Sequence, residues 1–185
     1  MLQNLFCQTA LFLSSLTADL PPPPPDSLYE ITAETIYGAK VPLSGYKGRV
    51  LLIVNIVTSG PLVKQLAELE SLYNTFSEDG LSVLAFPSND FISGQAMTLD
   101  QVKQYCQVTS PVSFPVFSIT HVMGSYKNPV YQFLTNTRTN PMYGGDVSWN
   151  FVKFLVSRDG KVIGRFSSNI SPEDAKIKEA IKKAM

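Results

Sequence analysis

The sequence predicts an α/β fold: a mixed central β-sheet with helices on both faces, preceded by an N-terminal β-hairpin. Three observations carry that prediction. Residues 50–57 and 81–86 are nearly all apolar, as strands covered on both faces are. A helical pattern follows each run, as a chain crossing between parallel strands requires. Near the C-terminus, two further strand-like runs flank an Asp-Gly turn.

Taken in order, residues 28–32 alternate as a half-exposed strand does, and the turn at residues 37–40 leads back into residues 41–43, giving the hairpin. The strand at 50–57 is followed by Leu62, Leu66, Leu69, Tyr73 and Phe76 at helical spacing. Pro61 suits the first helical position, with Ser59 or Gly60 as cap. Asp79-Gly80 stops this helix before the strand at 81–86. Thr98-Leu99-Asp100-Gln101 has capping-box spacing and opens a helix running to about Cys106. An extended stretch at 114–122, a short helix at 130–134 and a hairpin of 151–156 with 162–166 follow. Ser171-Pro172-Glu173-Asp174 opens the last helix, and Lys182 and Lys183 complement the dipole at its far end. The two strands at 50–57 and 81–86 are expected to be adjacent inner strands. This order of elements fits a thioredoxin-like sandwich.

With 44% hydrophobic and 16% charged residues in a chain of 185, there is material for one domain with a sizeable core. Fifteen basic residues balance fifteen acidic ones, and no basic stripe supports nucleic-acid binding. A single histidine, His121, excludes a multi-histidine metal site; its place among strand-like residues reads as structural. Two cysteines, Cys7 and Cys106, are too few for a disulfide scaffold. The first twenty residues are apolar, too short to span a bilayer, and end in small residues near Ala18, although no Lys or Arg precedes them. Two readings stay open, a secretory signal sequence and an N-terminal extension of a cytoplasmic protein. Pro21 to Pro25 form a stiff spacer. The expected organisation is therefore a leader and linker over residues 1–26 and a folded domain over residues 27–185.

Four stretches carry a resemblance. LYEITAETIYGAKVPLSGYKGRVLLIVN, LSVLAFPSNDF, SWNFVKFLVSRDGKVIGRF and SPEDAKIKEAIKKAM resemble the opening hairpin and first core strand, the second core strand and its turn, the Trp-Asn-Phe segment with the final hairpin, and the closing helix of the glutathione peroxidase family. That family is thioredoxin-like. It reduces hydrogen peroxide and organic or lipid hydroperoxides with a cysteine or selenocysteine at the first strand-to-helix turn, where amides and the helix dipole stabilise the anion. Glutathione or thioredoxin serves as co-substrate, and no bound cofactor or metal is implied.

The resemblance places the reactive residue at Gly60, and the surrounding donors at Gln95, Trp149 and Asn150. The Gln95 match needs one extra residue after Phe91. Pro61, Val63, Ser88 and Asp90 also depart from the family pattern. Glycine carries no thiolate, and the neighbouring Ser59 hydroxyl is a poor substitute. Cys106 lies one residue from the resolving position of some relatives, an offset that redirects a helical side chain. The expectation is a catalytically impaired homologue with a binding or regulatory role and, from its short segment before Trp149, a monomer. Its partners would be a small hydroperoxide or thiol. Two alternatives stay open: an active selenoperoxidase in which Gly60 stands in for selenocysteine, and a secreted structural protein retaining only the fold.

Overall fold

The computed structural model describes residues 23–185, so the expected signal sequence lies outside the described residues. Along the chain come β1 (Thr32–Glu34), β2 (Lys40–Pro42), β3 (Val50–Ile56), α1 (Gln65–Phe76), β4 (Leu81–Pro87), α2 (Leu99–Gln104), α3 (Pro129–Thr135), β5 (Lys153–Val156), β6 (Val162–Phe166) and α4 (Ala175–Ala184). β1 and β2 pair as a small antiparallel sheet, while the main sheet has the order β4-β3-β5-β6. β3 runs parallel to β4 and antiparallel to β5, and β5 is antiparallel to β6.

Every residue of β3 and β4 is buried. Their side chains alternate between two cores, because successive residues of a strand point to opposite faces. Leu52, Val54 and Val83 pack with Leu66 and Leu69 of α1, Val102 of α2 and Ile177 of α4. Leu51, Ile53 and Leu84 face Val130, Tyr131 and Leu134 of α3 and the N-terminal hairpin. Helices thus cover both faces, and α1 is the crossover that the parallel pair requires.

Local chemistry moves several boundaries. Residues Leu28–Glu30 form a 3₁₀ turn capped by the Ser27 hydroxyl, so the hairpin strand begins only at Thr32. α1 begins at Gln65 rather than Pro61, because residues 60–66 make three-residue turns: Val63 N–H donates to Gly60 O at 3.3 Å and Gln65 N–H to Leu62 O at 2.9 Å. The capping box at Thr98 and Gln101 is present, but α2 passes after Gln104 into a π turn over Tyr105–Thr109. Asp174 caps α4, its side chain accepting from Lys176 N–H, while the Ser171 hydroxyl accepts from Glu173 N–H at 3.0 Å and donates to Glu68 on α1 at 2.7 Å.

β4 neighbours β3 as expected but ends the ladder instead of lying inside it. Residues 115–120 lie along its outer edge: Ala85 N–H donates to Pro115 O at 3.0 Å, Phe117 N–H to Ala85 O at 2.9 Å and Thr120 N–H to Pro87 O at 2.9 Å. Pro115 has no N–H to give, so the expected strand at 114–122 is reduced to isolated bridges. The Asp159-Gly160 hairpin forms, and glycine is required there. Gly160 has φ of +85°, and a Cβ on it would lie 2.6 Å from the Tyr29 ring.

Leu69 is fully buried where α1 meets the sheet. Leu69→Ala is expected to lower stability by about 2–5 kcal/mol, through lost transfer energy plus the residual cavity. Urea denaturation should show a lower midpoint at unchanged slope.

Candidate functional site

The site is organised by a polar residue inside an apolar strand. Asn55 has no exposed surface and sits near the C-terminal end of β3. Its carbonyl accepts from Phe151 N–H at 2.7 Å. Its side chain donates through Nδ2 to Trp149 O at 3.0 Å and accepts through Oδ1 from Val152 N–H at 3.0 Å. One residue therefore clamps the whole Trp-Asn-Phe segment. The clamp holds a strained conformation: Phe151 has φ of +62°, the sole non-glycine with positive φ among the described residues. That conformation costs a side-chain-bearing residue roughly 1–2 kcal/mol, and it is why β5 begins only at Lys153.

Trp149 is half-exposed and rests against Phe91, with ring centroids 5.5 Å apart. Asn150 is buried, and its Oδ1 has no hydrogen-bond partner. An unpaired buried acceptor of this kind costs about 1–3 kcal/mol and is relieved by any donor that reaches it.

The turn after β3 is held by Met97, whose sulfur accepts from both N–H and Oγ1 of Thr58 at 3.2 Å. Asn89 in turn holds Met97, accepting from its N–H at 2.9 Å and donating to its carbonyl at 3.1 Å. These bonds bring Gln95 beside the turn. Gln95, Ser59, Gln101, Gln104, Tyr105 and Thr109 line an open cleft of about 380 Å³. Its lining carries no charge. Gly60 follows Ser59 on the turn, and Trp149 and Asn150 lie on the segment tied to β3 through Asn55.

Gly60 is exposed, with φ of +90° and nothing within 4 Å of the place a Cβ would take. Cys106 sits on the π turn with 3% exposure, and burial pushes its thiol up to about 11. It is a buried core thiol, more enclosed than a half-buried cysteine.

Two polar groups escape the sequence reading. Asp90 is bound by His121 Nδ1 at 2.7 Å and by the amides of Val122 and Met123 at 2.6 and 3.1 Å. Burial alone would raise its carboxyl, but these hydrogen bonds outweigh it and hold the group below the usual range. His121 thus fastens the turn beside Phe91 instead of sitting within a strand. Lys153 opens β5 with no exposed surface, donating to Gln65 Oε1 at 2.5 Å, Phe151 O at 2.9 Å and Ile170 O at 2.7 Å. Burial pushes its amine down to about 8, opposed by the charge of Glu68. The signal for Asn55 and Lys153 was present: each is a lone polar residue in an apolar run.

Asn55→Ala is expected to lower stability by about 2–5 kcal/mol, because it strands Trp149 O and Val152 N–H without partners. Denaturant titration measures the loss, and a red shift of Trp149 emission in the folded variant would report the freed segment.

Among the described residues no group of three or more acidic, histidine or cysteine side chains could hold a metal, and no helix is long and apolar enough to cross a membrane. Comparison with known proteins gives a consistent picture. The glutathione peroxidase family model matches residues 28–135. A glutathione peroxidase of Lactococcus lactis subsp. cremoris is 36% identical, covering 86% of this chain and 99% of its own length. The thioredoxin/glutathione peroxidase BtuE of Escherichia coli is also 36% identical, with 86% and 98% covered. Among solved structures, apo Trgpx aligns with a TM-score of 0.69 at 35% identity, covering 85% of this chain and 94% of that one. A thioredoxin-family thiol:disulfide interchange protein of Chlorobium tepidum, at 19% identity and a TM-score of 0.62, shares the fold. The thioredoxin-like architecture, the hairpin before it and these relatives place the chain in the glutathione peroxidase family.

Proposed function

We propose that this family member lacks intrinsic peroxidase turnover and serves as a catalytically impaired homologue with a binding or regulatory role. Residue 60 carries the reading. In the family's chemistry a thiolate or selenolate attacks one peroxide oxygen. A chalcogen–oxygen bond forms as the O–O bond breaks, and the departing oxygen takes a proton to leave as water or an alcohol. Two thiols then reduce the oxidised chalcogen and release the second oxygen as water. Gly60 has no atom to enter that sequence.

The neighbouring groups do not replace it. The Ser59 hydroxyl has no comparable redox chemistry. Cys106 is buried, and with its thiol near 11 only about one part in ten thousand is thiolate at neutral pH. The φ of +90° at Gly60 supports glycine as the residue this turn is built around, since a residue with a Cβ is strained there. What we assign to the rest of the site is recognition: Gln95 beside the turn, and Trp149 with the unpaired Oδ1 of Asn150 on the clamped segment, offer an aromatic face and polar groups to a small hydroperoxide or thiol.

The purified chain is expected to show no turnover of hydrogen peroxide or a lipid hydroperoxide with glutathione or thioredoxin, followed by reductant consumption. Turnover that persists in Cys106→Ser would overturn the proposal, and turnover lost in that variant would make Cys106 the nucleophile.

Gly60→Cys restores a thiol at a position with room for its side chain, at a backbone cost of roughly 1–2 kcal/mol. The variant is expected to react with peroxide faster than an exposed model thiol but well below an evolved enzyme, because small misplacements are costly. Stopped-flow thiol oxidation reads the rate. A rate no faster than the model thiol would show that the donors no longer serve position 60.

A further inference from the structure

Among the described residues, Lys153 is the only charged residue with no exposed surface. An ammonium has three N–H donors, and here each has one acceptor: Gln65 Oε1, Phe151 O and Ile170 O. A neutral amine has two donors and a lone pair, so it would leave one carbonyl unpaired and set a lone pair against it. The surroundings are thus shaped for the charged form. A methionine would fill the same space without the cost of taking a cation out of water.

The three acceptors belong to three separate segments: the first turn of α1, the residue after Asn150, and the loop before α4. Gln65 extends the network, its Nε2 donating to Ser168 O at 2.7 Å. The decisive contact is with Phe151. Asn55 holds the N–H of this left-handed residue and Lys153 holds its carbonyl, so the strain is gripped from both sides. The other neighbours of the amine are uncharged: Val54 opposes it on β3, Phe166 on β6, and the 168–170 loop supplies carbonyls. Glu68 on α1, itself bound by the Ser171 hydroxyl, is the one ionisable group that acts on it.

We propose that Lys153 is a proton-dependent latch that positions Trp149 and Asn150. As an ammonium it fixes Phe151 and presents the Trp-Asn pair; as a neutral amine it releases the segment spanning residues 149–151. The amine stays in the core in both states. The state that has lost its carbonyl partner therefore holds the proton more weakly, and losing the proton favours it. Burial already brings the amine down to about 8, within reach of mildly alkaline conditions. Global unfolding has the opposite sign. Because the folded amine is depressed below its ordinary 10.5, stability grows as pH rises from about 8 toward 10.5, and a local release is distinguishable from unfolding. The latch is independent of any nucleophile at position 60.

Trp149 is the only tryptophan in the chain, so intrinsic fluorescence reports this segment alone. Acrylamide quenching of the full chain is followed from about pH 6 to about pH 9.5. Quenching is expected to rise along a one-proton curve with its midpoint near 8, while far-UV circular dichroism stays constant. Gln65→Glu places a carboxylate against the amine and is expected to move the midpoint upward by about one pH unit. Lys153→Met is expected to abolish the transition; if that variant does not fold, Gln65→Glu decides. His121, bonded to Asp90 on the turn beside Phe91, is the control, and His121→Asn is expected to leave the curve in place. A flat profile in the unsubstituted chain, an unmoved midpoint in Gln65→Glu, or loss of the curve in His121→Asn would each overturn the latch.

Discussion

Asn55 occupies the one place in β3 where a side chain can look past the end of the sheet while its backbone remains in the ladder. An apolar residue there would keep the strand equally buried, yet the segment would lose its bonds at Trp149 O and Val152 N–H and keep on this strand only the one from Phe151 N–H to the carbonyl of residue 55. With asparagine, a donor and an acceptor on one short side chain meet a carbonyl and an amide of the neighbouring segment. The left-handed Phe151, the late start of β5, the perch of Trp149 on Phe91 and the burial of Asn150 all follow from that choice. Buried polar networks are worthwhile only when fully satisfied, and the Asn55 side chain is satisfied at both of its polar atoms, while the neighbouring Asn150 Oδ1 has no partner.

Much of the fold was legible because it rests on periodicity. The two apolar runs became β3 and β4, the Asp-Gly pair became a hairpin, and the Thr98 capping box formed with both of its bonds. The errors lie where local patterns compete with tertiary contacts. Pro61 permits a helix start, but a left-handed glycine before it sends the backbone through tight turns, and the regular helix waits for Gln65. The last helix is capped by Asp174, and the Ser171 hydroxyl before it both accepts from Glu173 N–H and reaches Glu68 across the interface. An isolated sequence pattern cannot express that second contact.

The candidate site was legible only in part. Trp149 and Asn150 were found through a motif, but the residues that hold them, Asn55 and Lys153, were passed over as members of apolar strands. Their meaning depends on partners about a hundred residues away, such as Asn55 with Val152. None of the bonds that shape the site passes through a side chain at position 60. The scaffold around position 60 therefore stands without a side chain there.

The segment laid along β4 has a further effect. A parallel strand pair ending in an open row of amides and carbonyls is a template for adding strands from other molecules. Here the 115–120 segment occupies that row, and its own outer side is taken by the N-terminal hairpin, with Ile36 N–H donating to Val116 O at 3.1 Å and Ser118 N–H to Glu34 O at 2.7 Å. At the opposite end of the sheet, a bulge between β5 and β6 disturbs the register, and Arg165 on β6 is drawn to the carbonyls of residues 143–146. Both ends of the sheet are thereby blunted. Either margin of the sheet is thus a poor template for a strand from a second copy of the chain.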